Sequence, residues 1–303
     1  MFKSKRKKLS LGLLSALLLL ALSTSALAGG SYIDLEMGPR PQAMGGAFVA
    51  IADDVNSSYW NPAGIVQLDT PVVGFMHTNP FSVGDVSLDY LAFVHPTAFS
   101  FLNGGVGISY QRLSARLEEG VGDSPNYWAN SIYTLSFGAK LLNRVFYGIN
   151  FKSINIETDT GDSTAGEAFD FGLLYKFSEQ YSAGLMMRNL SGKLTNETIA
   201  GEKRVGIAGR FWDNRFILAL DASSKQGINQ QQEAWQLHFG AELQFTEHVA
   251  VRLGYDRDNF TGGVGIQFDF GGLMQGASLD YSYAANQDLE HTHRFALALE
   301  VGG

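Results

Sequence analysis

The chain has 303 residues, with 22 Lys and Arg against 30 Asp and Glu, 35 Gly, 21 Phe, 12 Tyr and no Cys. The lack of Cys excludes disulfides, thiolate metal sites and cysteine nucleophiles, and the net charge of −8 argues against a nucleic-acid partner. Gly with abundant aromatics suits a curved β-sheet with interfacial aromatic belts.

The first 28 residues read as a signal peptide. Lys3, Lys5, Arg6, Lys7 and Lys8 form a basic start, and residues 9–22 are an apolar run too short for a comfortable membrane span. Ala26-Leu27-Ala28 is a small-x-small cleavage site followed by a Gly pair, which favours cleavage over an uncleaved anchor helix. Without the five basic residues, 17 stand against 30 acidic ones, a balance of −13.

Residues 29–70 show no strand alternation. Small apolar residues dominate around Gly45 and Gly46, Asp53 and Asp54 form an acidic pair, and Asn61-Pro62-Ala63-Gly64 starts a turn. Two or three short helices and tight turns are expected. A segment this short does not fold alone, and it is too apolar for a linker. It is expected to bury itself in a lumen formed by residues 71–303.

In residues 71–303 the pattern changes to period two. In Trp235–Phe245 the odd positions are apolar and the even ones polar or Gly. Strands are predicted near 71–78, 86–95, 104–112, 130–141, 144–155, 166–177, 180–190, 203–211, 215–223, 233–245, 248–256, 260–269, 276–285 and 290–301. Most have the roughly nine to eleven residues that a tilted strand needs to cross a bilayer. Tight turns at Leu142-Asn143, Ser178-Glu179, Asp213-Asn214 and Thr246-Glu247 alternate with longer connections at 113–129, 156–165, 191–202, 224–232 and 286–289. Outer-membrane barrels alternate short periplasmic turns with long external loops in this way. Two connections break the rule: Arg257-Asp258-Asn259 is too short and Pro96 to Asn103 too long, so the count could shift to 12 or 16.

Alternation also assigns faces. Phe169, Phe171, Leu173, Tyr175 and Phe177 point one way, and Asp170, Gly172 and Lys176 the other. Arg204, Arg210, Arg252, Glu242 and Asp269 fall on the inward face. They either line an anion path or pair with one another and with plug carboxylates. A soluble sandwich also alternates; the leader and the loop asymmetry favour a transmembrane antiparallel β-barrel of about fourteen strands with an N-terminal plug.

Met44-Gly45-Gly46-Ala47-Phe48-Val49-Ala50-Ile51-Ala52-Asp53-Asp54, then Tyr59-Trp60-Asn61-Pro62-Ala63-Gly64, resembles the N-terminal signature of the PorV/PorQ family. It is also similar to the hatch of FadL-type long-chain fatty-acid transporters. The resemblance covers about twenty residues and implies a 14-stranded outer-membrane barrel with a plug. The chain departs from the FadL pattern in its shorter loops, which puts an external hydrophobic groove in doubt. It ends on Gly302-Gly303 rather than on the usual terminal aromatic.

No G-x-S-x-G elbow, H-E-x-x-H pair or Walker loop occurs, so neither an enzyme nor a cofactor is expected. His291 and His293 beside Glu290 read as a polar strand edge rather than a metal site, and Asp256, Asp258 and Asn259 as a hairpin turn rather than a calcium loop. Two functions fit. One is passive passage of hydrophobic, fatty-acid-like molecules, with Phe48, Tyr59 and Trp60 lining the path and Gly104, Gly105 and Gly107 marking a wall kink. The other, implied by the PorV resemblance, is a barrel that binds partner proteins of a secretion machine. Both place the chain in outer-membrane lipid.

Overall fold

The computed structural model describes residues 35–80, 85–99, 102–116, 127–159, 161, 163–195, 197–226, 234–272, 274–285 and 291–302. The expected signal peptide, residues 29–34, Glu290 and much of the loops expected at 113–129, 224–232 and 286–289 lie outside them.

Among the described residues, sixteen strands follow one another in antiparallel order. They are β1 (Val72–Thr78), β2 (Asp85–Phe99), β3 (Gly104–Arg116), β4 (Tyr127–Leu142), β5 (Val145–Thr158), β6 (Ser163–Lys176), β7 (Tyr181–Arg188), β8 (Lys193–Leu194), β9 (Glu197–Thr198), β10 (Glu202–Phe211), β11 (Phe216–Lys225), β12 (Gln236–Gln244), β13 (Val249–Asp256), β14 (Asn259–Asp269), β15 (Met274–Ala284) and β16 (Thr292–Val301). Fourteen form the wall. β1 pairs with both β2 and β16, and β5 with β6, so the wall closes on itself. β7 pairs directly with β10, and the two-residue strands β8 and β9 form a small extra hairpin, with β8 laid on β6.

The predicted strands are present, with informative differences in length. β2 continues through Pro96 to Phe99, so the first half of the connection expected at 96–103 is strand. A register shift between His95 and Phe99 accommodates the proline, which cannot donate to a ladder. β3 to β6 also extend past their predicted ends at the long-loop side. β2 to β6 run 13 to 16 residues, whereas the other wall strands run 7 to 11. The turn after β13 stays tight, with Arg257 at φ 58. At the opposite end Trp212, Asp213 and Asn214 all take positive φ to turn β10 into β11.

The outward face is apolar, with Ile108 58 % exposed, Leu253 67 % and Phe260 73 %. On the long-loop ends of β2 to β6 this polarity reverses. There the outward positions carry Ser87, Asp89, Arg112, Ser114 and Asn155, joined in part by Ser87–Ser114 and His77–Asp89 hydrogen bonds of 3.0 and 2.7 Å. The inward positions there carry Leu88, Leu113, Ile132, Ile154 and Ala168, all buried. Alternation places opposite residue types on the two faces, so extra strand length with a switched pattern marks wall that is polar outside and largely aliphatic inside.

Candidate functional site

Residues 35–70 form a compact chain of turns and short helices against the inward face of the wall. Gly38 (φ 89) opens helix α1 (Pro39–Ala43), with proline at the helix start, where no N–H is needed. Gly45 and Gly46 (φ 63 and 76) then reverse the chain. Helix α2 (Ser57–Trp60) leads into a 3-10 helix, Pro62–Gln67, whose N-cap Asn61 accepts from the Ala63 amide at 3.2 Å. The Asn61 side chain donates to Val49 O (2.8 Å) and to Leu173 O of β6 (3.0 Å), which ties the motif to itself and to the wall.

The wall is shaped to receive this backbone. Gly105, Gly138, Gly148 and Gly172 are register partners across β3, β4, β5 and β6. A Cβ at Gly148 would lie 2.3 Å from the Pro62 carbonyl carbon, and one at Gly172 2.2 Å from Asn61 Oδ1. Gly184 and Gly206 similarly face Val49, and Gly240 and Gly254 face Met44. Side chains there would push the segment away.

Two ion-pair networks hold it from the other side. In the first, Arg204 reaches Glu36 at 2.6 Å and Glu202 at 3.1 Å and donates to Gly46 O at 2.6 Å. Arg188 pairs with Glu202 at 3.1 Å and lies 4.1 Å over the Tyr59 ring. In the second, Arg40 of the segment binds Asp53 (2.7 Å), Asp54 (3.0 Å) and Glu242 of β12 (2.7 Å). Arg210 holds Asp53 at 3.0 Å, and Arg252 joins Glu242 to Asp280. Burial works against the Asp53 charge, but Arg40 and Arg210 outweigh it and hold this carboxyl below the usual range. Asp54 is pushed up by burial and by its charged neighbour Asp53, against the pull of Arg40.

Of the inward charges read from the sequence, Arg204, Arg210, Arg252 and Glu242 all join these networks. Asp269 does not: its side chain is 85 % exposed, 3.8 Å from His248, because β14 has by then run past the segment. Asp53 bridges to a wall arginine, whereas Asp54 pairs with Arg40, within the segment. Phe48 and Trp60 are fully buried, with Trp60 donating to Met37 O at 2.7 Å, and Tyr59 is 8 % exposed. Gly105 and Gly107 point inward, close to Ile65, and β3 pairs with β4 without interruption, so the irregularity near them belongs to β2. Gly104 packs against Phe137.

A cavity of about 450 Å³ opens between the segment and β1 and β12 to β16. Arg40, Asp53, Asp54, Glu242, Arg252 and Asp280 contribute to its lining, so it is polar and none of the expected aromatic path residues reaches it. The apolar surface lies elsewhere, where Leu194 of β8 and Ile199 just after β9 cover Ile132, Ile154 and Ala168. Sequence reading missed this patch, and it missed Glu36, Arg40, Arg188, Glu202 and Asp280. A register of glycines on adjacent strands was the available signal for the segment's seat.

Ser223, His238 and Asp256 form a string, with Ser223 Oγ 2.8 Å from His238 Nε2 and Asp256 2.9 Å from Nδ1. It lacks the geometry of a hydrolytic triad. Nδ1 is hydrogen-bonded to Gly45 O at 3.1 Å, Asp256 Oδ1 has no hydrogen-bond partner, and Ser223 is 1 % exposed beneath the segment. The His serves to seat the Gly45 turn. Among the described residues no group of three His, Cys, Asp or Glu could hold a metal ion. His291 and His293 instead lie against Tyr283 and Tyr281 on the outer face.

No family model and no curated protein matches the chain. Solved structures do. The chain is similar to the Pseudomonas putida toluene transporter TodX, at 12% identity over 90% of this chain and 100% of that one, with a TM-score of 0.63. It is similar to the CymD monoaromatic hydrocarbon channel, at 12% identity, 90% and 100% coverage and a TM-score of 0.63. A Pseudomonas aeruginosa FadL homologue matches at 11% identity, 91% and 99% coverage and a TM-score of 0.57. At these identities the likeness is one of fold, and the fold is that of the FadL-like barrels.

Proposed function

We propose that the chain is an outer-membrane barrel that passes hydrophobic small molecules passively, with residues 35–70 as a plug. One observation carries the reading: a closed wall with an apolar outer belt surrounds a segment held by buried ion pairs rather than by apolar contact alone. Such a holding is tight yet exchangeable, because the charges can re-pair with water or with each other once the segment shifts. The fold shared with TodX, CymD and a FadL homologue supports the same reading. An apolar solute gains nothing by leaving water for a polar lumen. The apolar patch at Ile132 and Ile154 would serve it once Leu194 and Ile199, which cover it, move aside. The long-loop end, where β2 to β6 rise, is then the outside, and the polar cavity faces the periplasm. No observation among the described residues favours secretion-machine partners.

Uptake of labelled toluene and dodecanoate into proteoliposomes tests the proposal; uptake no faster than into protein-free vesicles ends it. A Gly148→Val variant, whose side chain would strike Pro62, should raise leakage of a small hydrophilic dye. Unchanged leakage would show that the segment does not plug the lumen.

A further inference from the structure

β6 outruns its neighbour. β7 pairs with it only from Phe171 to Lys176, and β10 begins at Glu202, opposite Arg188, the last residue of β7. Above that height the wall position beside β6 belongs to the β8–β9 hairpin, through the register pairs Gly166 with Leu194 and Glu167 with Lys193. Leu194 and Ile199 cover Ile132, Ile154 and Ala168. The hairpin is therefore a panel of the wall, and the aliphatic face lies directly behind it.

The base of this panel is fixed. Asn189, buried and left-handed at φ 52, donates from its backbone to Asp170 Oδ1 and from its side chain to Ala200 O, both at 2.9 Å. Its Oδ1 accepts from Lys152 at 3.2 Å, and Lys152 pairs with Asp170 at 2.9 Å. On the other side Gln226 N donates to Gly201 O at 3.0 Å. The tip is held lightly, by the two register pairs, by Thr195 N donating to Ala165 O at 2.9 Å, and by the two apolar side chains. β8 and β9 pair with each other, so the tip moves as one piece. An element with a firm base and few tip contacts opens locally well before the whole fold does.

Height makes the opening cheap. Glu167 and Lys193 continue the outward row of Tyr110, Tyr133 and Ser153, and the next row down is Ile108, Leu135, Phe151 and Phe169. The seam between β6 and β8 thus lies at the upper rim of the apolar belt. Backbone groups freed within hydrocarbon find no partner; freed at this rim they meet water. We propose that the β8–β9 hairpin is a flap that lifts from β6 and admits small hydrophobic molecules to the aliphatic face behind it. This rests on the transport reading for what passes, and adds where it enters and what gates it.

The chain has no Cys, so the seam can be locked selectively. Glu167→Cys with Lys193→Cys places thiols on antiparallel register partners, whose Cα atoms stand about 4.5–5.5 Å apart, within reach of a disulfide. Labelled toluene uptake into proteoliposomes is then compared between the oxidised and reduced double variant. Oxidation should lower uptake to the rate of protein-free vesicles, and reduction should restore it; each single variant should behave as wild type in both states. Amide hydrogen exchange of the wild type in detergent gives a readout independent of transport, and Leu194 and Thr198 should exchange faster than the β7–β10 ladder. An oxidised variant that takes up toluene as fast as the reduced one sinks the flap and leaves the transport reading standing. Protection of Leu194 and Thr198 equal to that of the ladder also sinks the flap. Fast exchange at the tip in a wild type without uptake keeps the hinge, but removes both the transport reading and the role of the flap as its gate.

Discussion

Two parts of one wall do opposite work. The inward face of β7 and β10 to β13 is charged, and it grips the segment through Arg188, Arg204, Arg210 and Glu242, with Arg252 holding Glu242 in place. The inward face of β2 to β6 meets the segment largely through glycine, with Tyr90 and Asn150 hydrogen-bonded to Ser58, and is mostly aliphatic above it. Both faces follow the same period-two rule, so the difference lies in what stands opposite. Charges collect where a polar backbone and carboxylates must be satisfied in a buried space. Glycine collects where backbone meets backbone, and aliphatic residues where neither water nor segment is present. The lesson is that an inward face is not polar by rule; its composition reports its neighbour.

Breaking the charged side at its centre should cost most. Arg204→Ala leaves Glu36 and Glu202 buried without their shared partner, and a loss of about 3–5 kcal/mol is expected. Denaturant titration, followed by the gel mobility of the folded barrel, measures it. A loss comparable to that of an exposed substitution would mean that the ion pairs do not hold the segment.

The aliphatic side should respond next. Ile154 is 1 % exposed and packs with Ile132, Ala168, Leu194 and Ile199, so Ile154→Ala should cost about 2–4 kcal/mol. Dye leakage should stay at the wild-type level, because the segment does not touch this cluster. A leaky Ile154→Ala barrel would join the two regions that the structure separates.

The acidic pair sharpens the comparison within the charged side. Asp53 sits between Arg40 and Arg210, and its pKa is lowered. Its contribution is therefore present above the ordinary carboxylate range and is lost only as pH falls through the lowered value. Asp53→Asn should cost about 1.5–3 kcal/mol at neutral pH, the worth of a hydrogen bond to a charged group.

Asp54 should give the smallest effect, with the opposite sign. Its pKa is raised, so its charge opposes folding at neutral pH, and stability grows as pH falls through the raised value. Asp54→Asn keeps an acceptor for the Asn56 amide, which donates to Asp54 Oδ1 at 2.8 Å. It should leave neutral-pH stability unchanged or raise it by a few tenths of a kcal/mol, and abolish that rise on acidification. If the two variants behave alike, the adjacent aspartates share one role.

Much of the fold is legible in the sequence. Alternation in stretches such as 235–245 and 260–269 predicts β12 and β14, and tight turns at Asp213-Asn214 and Thr246-Glu247 set their order. The extra length of β2 to β6 was not legible. Pro96 reads as a strand end, and Ser114 and Glu157 fall in the connections expected at 113–129 and 156–165, yet both are strand. Asp269 was placed on the correct face, but a period says nothing of height, and height decided that it meets solvent. Likewise Asn61-Pro62-Ala63-Gly64 announces a turn without announcing that Asn61 donates to β6.

The sequence by itself determined which residues share a face, because strand geometry sends successive side chains to opposite sides and needs no distant partner. It also marked residues 29–70 as unlike the rest. Only the tertiary structure decided which inward charges meet, because a closed barrel brings together strands far apart in the chain. Arg40 and Glu242 are separated by 202 positions and lie 2.7 Å apart. Among the described residues, closure likewise left Arg294 Nε and Nη1 without a hydrogen-bond partner, a property of its surroundings that no local pattern carries.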